Sequence, residues 1–344
     1  MKNKCVLPFI GHDYKNNSPC CLLKNKDGTP WENNKSNIQE LIQQHKSGVK
    51  TSFCKQCWDT EEIGITSQRQ RYNQLYKKYL AQNERLVKAL TIPVGNVCNL
   101  YCVTCNPGVS TSWIKKEMSF AKRNTPLHYG VITEVIPSDI ENIKDAEHVE
   151  FIGGETLKSF SLWSHLSKID KSTSFSLQTN GTVDLNEKQI ELLTSFENFN
   201  ICFSLDGYGK IFEYIRQPAK WPEVCSNINR YMNYFGKDKL SIYLTVSNLN
   251  ILYIDKIMIE LFKLLPTKID LNLVSDPYDL SYKNLPEHVG KLVEERNPGF
   301  FKNKKIEWVG THKSMLAMKQ NLEAQDKFSG LDKGDFLPEL FDLI

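Results

Sequence analysis

Three cysteines crowd into eight residues of this 344-residue chain: Cys98, Cys102 and Cys105, in the run CNLYCVTC. Three thiols on one short polar segment are poorly explained as buried core residues. A metal site that only supports a fold normally completes its coordination shell with protein ligands. A trio instead favours a 4Fe–4S cluster with three thiolate ligands, in which the remaining iron stays open to a substrate or cofactor. We therefore predict that these cysteines are both metal ligands and the catalytic centre.

A zinc site is the first alternative, with a histidine as the fourth ligand. The histidines that flank the trio are His45 and His128, and both are distant along the chain. A ligand far away in sequence could still close the site in the folded protein. On that alternative the chain would be a zinc-binding scaffold protein without redox activity.

The composition is that of a globular protein, with 40% hydrophobic and 24% charged residues. The formal net charge is only +3, which argues against a dedicated nucleic-acid binder. The N-terminus lacks the apolar region and cleavage site of a signal peptide, and no apolar run approaches the roughly 20 residues that cross a bilayer. We therefore expect a cytoplasmic protein with no membrane contact. In a reducing compartment its 10 cysteines are expected to be metal ligands or reactive thiols before disulfides.

Short runs rich in Val, Ile, Leu, Phe and Thr alternate with helical stretches after residue 88, as is typical of buried parallel strands. The predicted strands are Leu90–Val94, His148–Ile152, Ser174–Thr179, Asn200–Ser204, Leu240–Val246 and Ile269–Val274. The predicted helices are Thr111–Arg123, Phe160–Ile169, Asn186–Thr194, Pro222–Phe235, Leu252–Leu264 and Ser314–Phe328. The alternation predicts an α/β protein with a parallel sheet of about six strands.

Polar motifs follow four successive predicted strands. The cysteine loop follows the first strand, and the motifs after the next three are Gly153-Gly154-Glu155, Asn180-Gly181 and Asp206-Gly207. Any one of them could be simple turn chemistry, because Gly, Asn and Asp are the usual turn residues. Ligands gather at the carboxyl ends of the strands in parallel α/β folds. Their joint placement therefore predicts one site at that edge of the sheet.

The cysteine spacing, CxxxCxxC, resembles the signature of the radical S-adenosylmethionine superfamily. The downstream motifs GGET, TNG, FSLDG and EYIRQPAKW follow in the family's order. The resemblance implies a partial (β/α)6 TIM-like barrel with an S-adenosylmethionine site built from these motifs. The implied contacts are Gly153, Gly154 and Glu155 at the methionine amino group, Asn180 near the cofactor, Ser204 and Asp206 at the ribose or methionine moiety, and Arg216 at the carboxylate.

Two positions depart from the family's pattern. The residue before the third cysteine is often an aromatic that helps hold adenine, whereas here it is Thr104. Tyr101 or another apolar residue would then take that role. The usual proline after Gly-Gly-Glu is replaced by Thr156, which matters less because the contact is attributed to the glutamate and the backbone.

The resemblance also implies a reaction. In this family the open iron of a 4Fe–4S cluster binds the amino and carboxylate groups of S-adenosylmethionine. An electron from a donor such as flavodoxin or ferredoxin cleaves the cofactor to methionine and a 5′-deoxyadenosyl radical, which abstracts hydrogen from the substrate. The chain is thus expected to be an oxidoreductase or peptide-modifying enzyme that acts on a peptide. The alternative is oxidation or rearrangement of a sugar, nucleotide or other small metabolite.

Five further cysteines precede residue 60, in a segment that resembles the auxiliary-cluster segments called SPASM or twitch domains. The resemblance implies a second 4Fe–4S cluster held by Cys5, Cys20, Cys54 and Cys57, and the adjacent Cys21 could replace Cys20. A four-cysteine zinc site is the alternative. The two remaining cysteines, in a predicted strand and a predicted helix, are expected to be structural. These two cysteines are Cys202 and Cys225. The pattern that the N-terminal segment shares with the auxiliary-cluster segments also includes Trp58, Glu61 or Glu62, Gly64, Ser67 and Arg69.

These patterns divide the chain into three parts. The auxiliary segment covers residues 1–85, the radical S-adenosylmethionine core covers 86–280, and a helical C-terminal extension covers 281–344. In one subgroup of the family the auxiliary segment precedes the core, as it does here. The tail FSGLDKGDFLPEL is similar to the ending of that subgroup, so we expect a chain that is not truncated.

Overall fold

A computed structural model describes residues 3–14, 17–29, 31–120, 143–275 and 277–343 of the chain. The last residues of the first predicted helix, 121–123, lie outside this described part, and so does His128. The helices, strands and contacts of the protein are those found within these ranges.

The core of the protein is a seven-stranded, all-parallel sheet whose strands follow one another in sequence order. The sheet curls into a partial barrel with helices outside it, so the predicted fold class is confirmed. All six predicted strands are present, and a seventh lies in the N-terminal segment. The strands are β1 (Gly11–Asp13), β2 (Ala89–Pro93), β3 (His148–Ile152), β4 (Ser174–Thr179), β5 (Phe199–Ser204), β6 (Leu240–Val246) and β7 (Ile269–Leu273).

Each predicted helix is also present, within a residue or two at the described ends. Most helices connect successive strands, which is how parallel strands are joined in α/β folds. The helices are α1 (Leu7–Ile10), α2 (Lys35–Lys46), α3 (Lys55–Glu62), α4 (Gln68–Leu75), α5 (Thr111–Phe120), α6 (Phe160–Lys168), α7 (Glu187–Thr194), α8 (Gly209–Ile215), α9 (Trp221–Phe235), α10 (Ile254–Leu264), α11 (Glu287–Arg296), α12 (Pro298–Phe301), α13 (His312–Ser329), α14 (Lys333–Phe336) and α15 (Pro338–Leu343).

The two faces of the sheet differ in chemistry. Along β3 to β6 fully buried residues alternate with partly exposed ones, and the buried set is apolar almost throughout. Phe151, Leu177 and Ile201 are examples, and they belong to the main hydrophobic core. The alternate residues of the same strands are mostly polar, such as Glu150 and Gln178. The strands are therefore apolar on one face only, and the concave face encloses a cavity rather than a packed core.

The N-terminal segment and the core share one sheet. β1 pairs in parallel with β2, through Gly11 opposite Ala89 and Asp13 opposite Thr91. A Cβ on Gly11 would lie 2.3 Å from the Pro19 carbonyl oxygen, so this position has no room for a side chain. The C-terminal extension is helical as predicted, and its long helix α13 packs against α5. None of the described helices combines the length and the apolar character that a membrane span requires.

Candidate active site

The cysteine loop follows β2 and is held by the start of helix α5. The Cys98 carbonyl accepts a hydrogen bond from the Ser112 hydroxyl at 2.7 Å, and the Cys98 N–H donates to the Thr111 hydroxyl at 3.2 Å. The Trp113 indole N–H donates to the Cys102 carbonyl at 2.7 Å. Because three consecutive side chains bind the loop backbone, the polar residues after the trio fix the course of the loop that carries the thiols.

The opposite side of the loop pairs with the chain that follows α8. The N–H of Val103 donates to the Ile215 carbonyl at 2.7 Å, and the N–H of Tyr101 donates to the Gln217 carbonyl at 2.8 Å. Arg216 lies between these two acceptors. The loop is thus bound to the backbone on either side of the arginine that the family resemblance assigns to the cofactor.

All three thiols are partly exposed. Burial raises the pKa of Cys98 and Cys102, and it raises the pKa of Cys105 to about 11. The Arg216 guanidinium has the opposite effect on the pKa of Cys102. A charge on any one thiol raises the pKa of another, so the three groups lie close to one another. Thiols in such a setting become thiolates when a bound metal displaces their protons.

Gly153 and Gly154 allow the motif after β3 to lie directly against the chain that precedes Cys98. The N–H of Gly154 donates to the Gly95 carbonyl at 3.0 Å, and the N–H of Glu155 donates to the Val97 carbonyl at 2.7 Å. A Cβ on Gly153 would lie 2.6 Å from the Gly95 oxygen, and one on Gly154 would lie 2.5 Å from the Val97 oxygen. This close approach by itself requires both glycines.

Glu155 joins the ends of β3 and β4. Its carboxylate accepts hydrogen bonds from the Asn180 N–H at 2.7 Å, the Thr179 hydroxyl at 2.8 Å and the Leu157 N–H at 3.1 Å. The side chain is 1% exposed, and burial raises the pKa of its carboxyl. The Asn180 amide in turn donates to Asn99, which follows Cys98, at 3.1 Å. The two motifs and the cysteine loop therefore form one hydrogen-bonded unit.

Asp206 and Arg216 pair with each other across the loop that follows β5. The Arg216 Nε lies 2.8 Å from Oδ2 of Asp206, and Nη2 lies 2.9 Å from Oδ1. Both side chains are largely buried. Asp206 also accepts the Thr245 N–H at 3.2 Å. Ser204, the last residue of β5, is partly exposed at the same edge of the sheet.

Tyr101 packs against the C-terminal extension. Its ring meets the Phe328 ring edge to face at 5.4 Å between centroids. Thr104 is partly exposed, as a residue beside the site would be. The aromatic ring nearest in sequence to the trio is thus already in contact with helix α13.

Lys116 lies behind the cysteine loop and did not stand out in the sequence. Its side chain is completely buried, although it is a lysine on a surface helix. Burial lowers the pKa of Lys116 to about 7, while negative charge on Cys102, Asp326 and Cys105 acts in the opposite direction. The only signal in the sequence is its position on the α5 face that carries Trp113 and Ser112, one turn after the loop.

The concave face of the sheet encloses a cavity of about 860 Å³, which we call the lumen. This volume is within the range of small-molecule and cofactor sites. Helix α4 of the N-terminal segment contributes Gln68, Arg71 and Tyr72 to its wall. The side chains that the strands contribute are mostly polar: Thr91, His148, Glu150, Ser174, Ser176, Gln178, Asn200, Cys202, Ser241, Tyr243 and Asp270.

Charged groups of the lumen are paired with tyrosines. The Tyr72 hydroxyl donates to Glu150 at 2.9 Å, and burial raises the pKa of this carboxyl. An Arg71 Nη lies 3.4 Å from the Tyr243 hydroxyl, and the other lies 3.6 Å from an Asp270 oxygen. The strands were expected to be buried, and period-two alternation of polar residues in runs such as SFSLQT and NICFS is the sequence signal that could have indicated this polar face.

A second, smaller cavity lies in the N-terminal segment and is lined by Cys5, Cys20, Cys54 and Cys57, the four predicted auxiliary ligands. Cys21 is absent from its lining and lies on the wall of the lumen instead. Burial raises the pKa of three of these thiols, to about 12 for Cys5. For Cys20 the largest cause of the raised pKa is its hydrogen bond to Cys21.

Residues of the predicted segment pattern support this small cavity. Arg69 lines it and forms two hydrogen bonds with Glu61, at 2.9 and 2.6 Å, while its guanidinium lies 4.6 Å from the centre of the Trp58 ring. The Ser67 hydroxyl donates to the same carboxylate at 2.6 Å. Of the two glutamates left open by the sequence, Glu61 makes these contacts. Gly64 has a φ of +81°, which explains its residue type.

His45 is a further contact that the sequence did not indicate. Its Nε2 lies 3.7 Å from the Cys54 sulfur, and its Nδ1 accepts the Cys5 N–H at 3.2 Å. The imidazole is therefore bound to two of the four predicted auxiliary ligands. Across the described ranges, no three His, Cys, Asp or Glu side chains are arranged to hold a single metal ion.

No protein-family model matches the chain, and no curated protein sequence matches it. Among solved structures the chain is similar to native anSMEcpe with bound AdoMet, with 19% sequence identity and a TM-score of 0.43, over 63% of this chain. The chain spans only 61% of the length of that protein.

Two other solved structures are also similar to the chain. One is SuiB of Streptococcus suis bound to its precursor peptide SuiA, with 14% identity and a TM-score of 0.43, over 87% of this chain and 71% of SuiB. The other is TYW1 with a lysine-pyruvate adduct bound, with 14% identity and a TM-score of 0.36, over 71% of this chain and 78% of TYW1. These three solved structures are of radical S-adenosylmethionine enzymes.

Proposed function

We propose that this chain is a radical S-adenosylmethionine enzyme that abstracts hydrogen from a peptide. The observation that carries the proposal is the meeting of four motifs at one edge of the sheet. The cysteine loop, the Gly153 motif and Asn180 share direct hydrogen bonds, and the loop is bound on both sides of Arg216. Turn chemistry accounts for each motif separately but not for their convergence beside three thiols.

The trio fits a 4Fe–4S cluster with one open iron. Cys98, Cys102 and Cys105 are partly exposed and near one another, and the loop that carries them has a fixed backbone. When bound, the cluster would supply the electron that cleaves S-adenosylmethionine to methionine and a 5′-deoxyadenosyl radical. The chain's own residues hold the thiols, bind the cofactor's polar groups and enclose the substrate.

We propose the same cofactor-binding residues that the sequence predicted, and the contacts of their side chains and backbone support the proposal. Arg216 and Asp206 are oriented by their mutual pair, and each would bind the cofactor from that fixed position. Glu155 keeps the ends of β3 and β4 in register beside the site. Gly153 and Gly154 lie directly against the chain before Cys98, and both remain partly exposed at the site.

The lumen is the proposed substrate cavity. The strand side chains that line it carry hydroxyl, amide, carboxyl, imidazole and thiol groups, and its volume of about 860 Å³ is within the range of small-molecule sites. Backbone amides and polar side chains of a peptide would find both donors and acceptors there. A sugar or nucleotide would meet the same chemistry, and the substrate experiment below separates these classes.

An auxiliary 4Fe–4S cluster is proposed for the four-cysteine cavity, with Cys5, Cys20, Cys54 and Cys57 as ligands. The proposal is supported by the meeting of four buried or half-buried thiols at one cavity. They come from three separate parts of the N-terminal segment, since Cys54 and Cys57 are neighbours and Cys5 and Cys20 each lie elsewhere. His45 would donate from Nε2 to the Cys54 sulfur, since its Nδ1 is an acceptor. Such outer hydrogen bonds orient cluster ligands and adjust their electronic properties.

The test begins with anaerobic reconstitution and measurement of iron and labile sulfide. With dithionite and S-adenosylmethionine the chain should form 5′-deoxyadenosine, and Cys98→Ala, Cys102→Ala and Cys105→Ala should each abolish its formation. Cys225→Ala, a half-buried thiol on α9, is the matched control and should retain it. Bound zinc without labile sulfide, or cleavage that survives in all three variants, would overturn the proposal.

The substrate class has its own test. Candidate peptides, sugars and nucleotides carrying deuterium are incubated with the active enzyme, and deuterium in 5′-deoxyadenosine is measured by mass spectrometry. Transfer from a peptide supports the proposed substrate, whereas transfer only from a sugar or nucleotide replaces it with a metabolite.

A further inference from the structure

Lys116 connects three separate parts of the chain behind the cysteine loop. Its ammonium donates to the Tyr101 carbonyl at 3.2 Å, to Oε1 of Gln217 at 3.2 Å and to Oε1 of Gln325 at 2.7 Å. Tyr101 is the residue before Cys102, Gln217 follows Arg216, and Gln325 is on α13 of the C-terminal extension. One side chain thus binds the trio loop, the arginine segment and the C-terminal helix.

The contacts suit the charged form of the lysine. Three oxygen acceptors surround Nζ, and an ammonium has three N–H donors whereas a neutral amine has two. The same nitrogen lies 5.1 Å from the centre of the Tyr101 ring and 4.9 Å from that of Trp113, distances at which aromatic faces attract a cation. The side chain is 0% exposed, so water does not screen this charge.

The ammonium is close to the backbone of the loop that carries the thiols. It binds the carbonyl directly before Cys102, and Trp113, which flanks it, binds the carbonyl of Cys102 itself at 2.7 Å. Electrostatic interactions are stronger in a buried setting than in water. A positive charge here therefore stabilises negative charge on a group held by those thiols.

The C-terminal helix makes further contacts in the same region. Asp326, the neighbour of Gln325, accepts a hydrogen bond from the Tyr214 hydroxyl at 3.0 Å, and Tyr214 lies two residues before Arg216. Phe328 packs on the ring of Tyr101. The extension is therefore bound to both sides of the proposed cofactor site, with Lys116 at the centre of these contacts.

We propose that Lys116 is a positioning residue that binds helix α13 to the cysteine loop, and that its buried charge raises the reduction potential of the cluster at Cys98, Cys102 and Cys105. The inference rests on the proposed function, because it concerns that cluster. The potential rises because the reduced cluster carries one more negative charge than the oxidised cluster, and a nearby cation favours the more negative state.

The test compares Lys116→Met with Lys115→Met in the reconstituted full-length chain. Lys115 is the exposed neighbour on the same helix, so its variant is a matched control. Reductive titration is followed by electron paramagnetic resonance, using the signal that changes when S-adenosylmethionine is added. Lys116→Met should shift the midpoint potential to more negative values, and Lys115→Met should leave it at the wild-type value.

Gln325→Leu distinguishes the effect of binding helix α13 from the effect of the Lys116 charge. It removes the 2.7 Å hydrogen bond between Lys116 and Gln325 but keeps the ammonium. This variant should increase hydrogen exchange in residues 98–105 and leave the midpoint potential unchanged. If Lys116→Met does not retain iron, Lys116→Gln replaces it, since glutamine keeps amide donors without charge. The proposal is overturned if an iron-loaded Lys116 variant has the wild-type potential, or if exchange at the loop is unchanged in Gln325→Leu. Failure of the wild-type chain to form a cluster would instead defeat the proposed function.

Discussion

Arg216 and Asp206 form a two-point ion pair, with Nε 2.8 Å from Oδ2 and Nη2 2.9 Å from Oδ1. The side chains are 12% and 2% exposed. The backbone on either side of the arginine binds the cysteine loop through Val103 and Tyr101. The pair therefore fixes the guanidinium while the adjacent carbonyls fix the loop, and loss of either partner should affect both.

Arg216→Gln should destabilise the protein by about 3 kcal/mol, because it leaves the carboxylate of Asp206 buried without its cation. The measurement is urea unfolding of the iron-free chain, which separates stability from cofactor binding. Arg230→Gln is the control, because Arg230 forms a pair with Asp184 that is 40% and 57% exposed. That variant should lose less than about 0.5 kcal/mol. Equal losses in the two variants would contradict the role given to the buried pair.

Substitution of Cys20 and substitution of Cys21 should have different effects on the iron content of the protein, although the two residues are adjacent in sequence. Cys20 lines the four-cysteine cavity and Cys21 lines the lumen. With two 4Fe–4S clusters the wild-type chain holds about eight irons. Cys20→Ser should fall to about four irons and Cys21→Ser should keep about eight, as measured by iron and sulfide analysis after reconstitution. The reverse pattern would assign the fourth ligand to Cys21.

Arg71 should contribute to the reaction with the substrate but not to the cleavage of S-adenosylmethionine. Its guanidinium faces the lumen at long distances from Tyr243 and Asp270, and within the described residues its buried Nε has no hydrogen-bond partner. A carbonyl or carboxylate of the substrate would accept hydrogen bonds from the two Nη groups. Arg71→Met should reduce deuterium transfer from the labelled substrate, while 5′-deoxyadenosine formed without substrate stays at the wild-type amount.

Lys78→Met is the control for Arg71→Met, because Lys78 is an exposed cation shortly after the same helix. It should leave both deuterium transfer and uncoupled cleavage unchanged. Loss of uncoupled cleavage in Arg71→Met would place this arginine in the cofactor site rather than in the substrate cavity.

The sequence was sufficient for six of the seven strands and for the cysteine loop that follows the first of them, because strands such as Ser174–Thr179 and the spacing of Cys98, Cys102 and Cys105 are local patterns. The strand Gly11–Asp13 was not predicted, since its three residues pair with β2 only through the tertiary fold. Contacts between segments that are distant along the chain could not be predicted from the sequence either. Lys116 and Gln325 are 209 residues apart, and no local pattern relates them.

The sequence also could not determine which of two adjacent residues of similar chemistry has a predicted role, because the two differ only in the direction of their side chains. Cys20 and Cys21 have the same chemistry, and Glu61 and Glu62 do too. In each pair the backbone turns one side chain toward the four-cysteine cavity or its supporting network and the other away from it. Residue type fixes which chemistry is available, whereas the direction of each side chain is set by the packed fold.

His148 should make stability fall as the pH drops from 7 to 5. Its imidazole lies in the lumen between the hydroxyls of Ser174 and Ser176, each at 3.1 Å, and burial lowers its pKa to about 4. The unfolded chain, with an ordinary histidine pKa of about 6.5, binds a proton over this range while the folded chain does not. The bound proton favours the unfolded state, so the folded state loses about 2 kcal/mol between pH 7 and pH 5.

His148→Gln should remove that part of the pH dependence, because glutamine can bind the two serines but does not titrate. The measurement is the free energy of unfolding in urea at pH 7 and pH 5, for the iron-free wild type and the variant. Other titrating groups, including the buried His45, contribute equally to both proteins and cancel in the difference. His288→Gln, at an exposed position, should behave as the wild type does. If His148→Gln has the same pH dependence as the wild type, the buried imidazole is not the group that binds the proton.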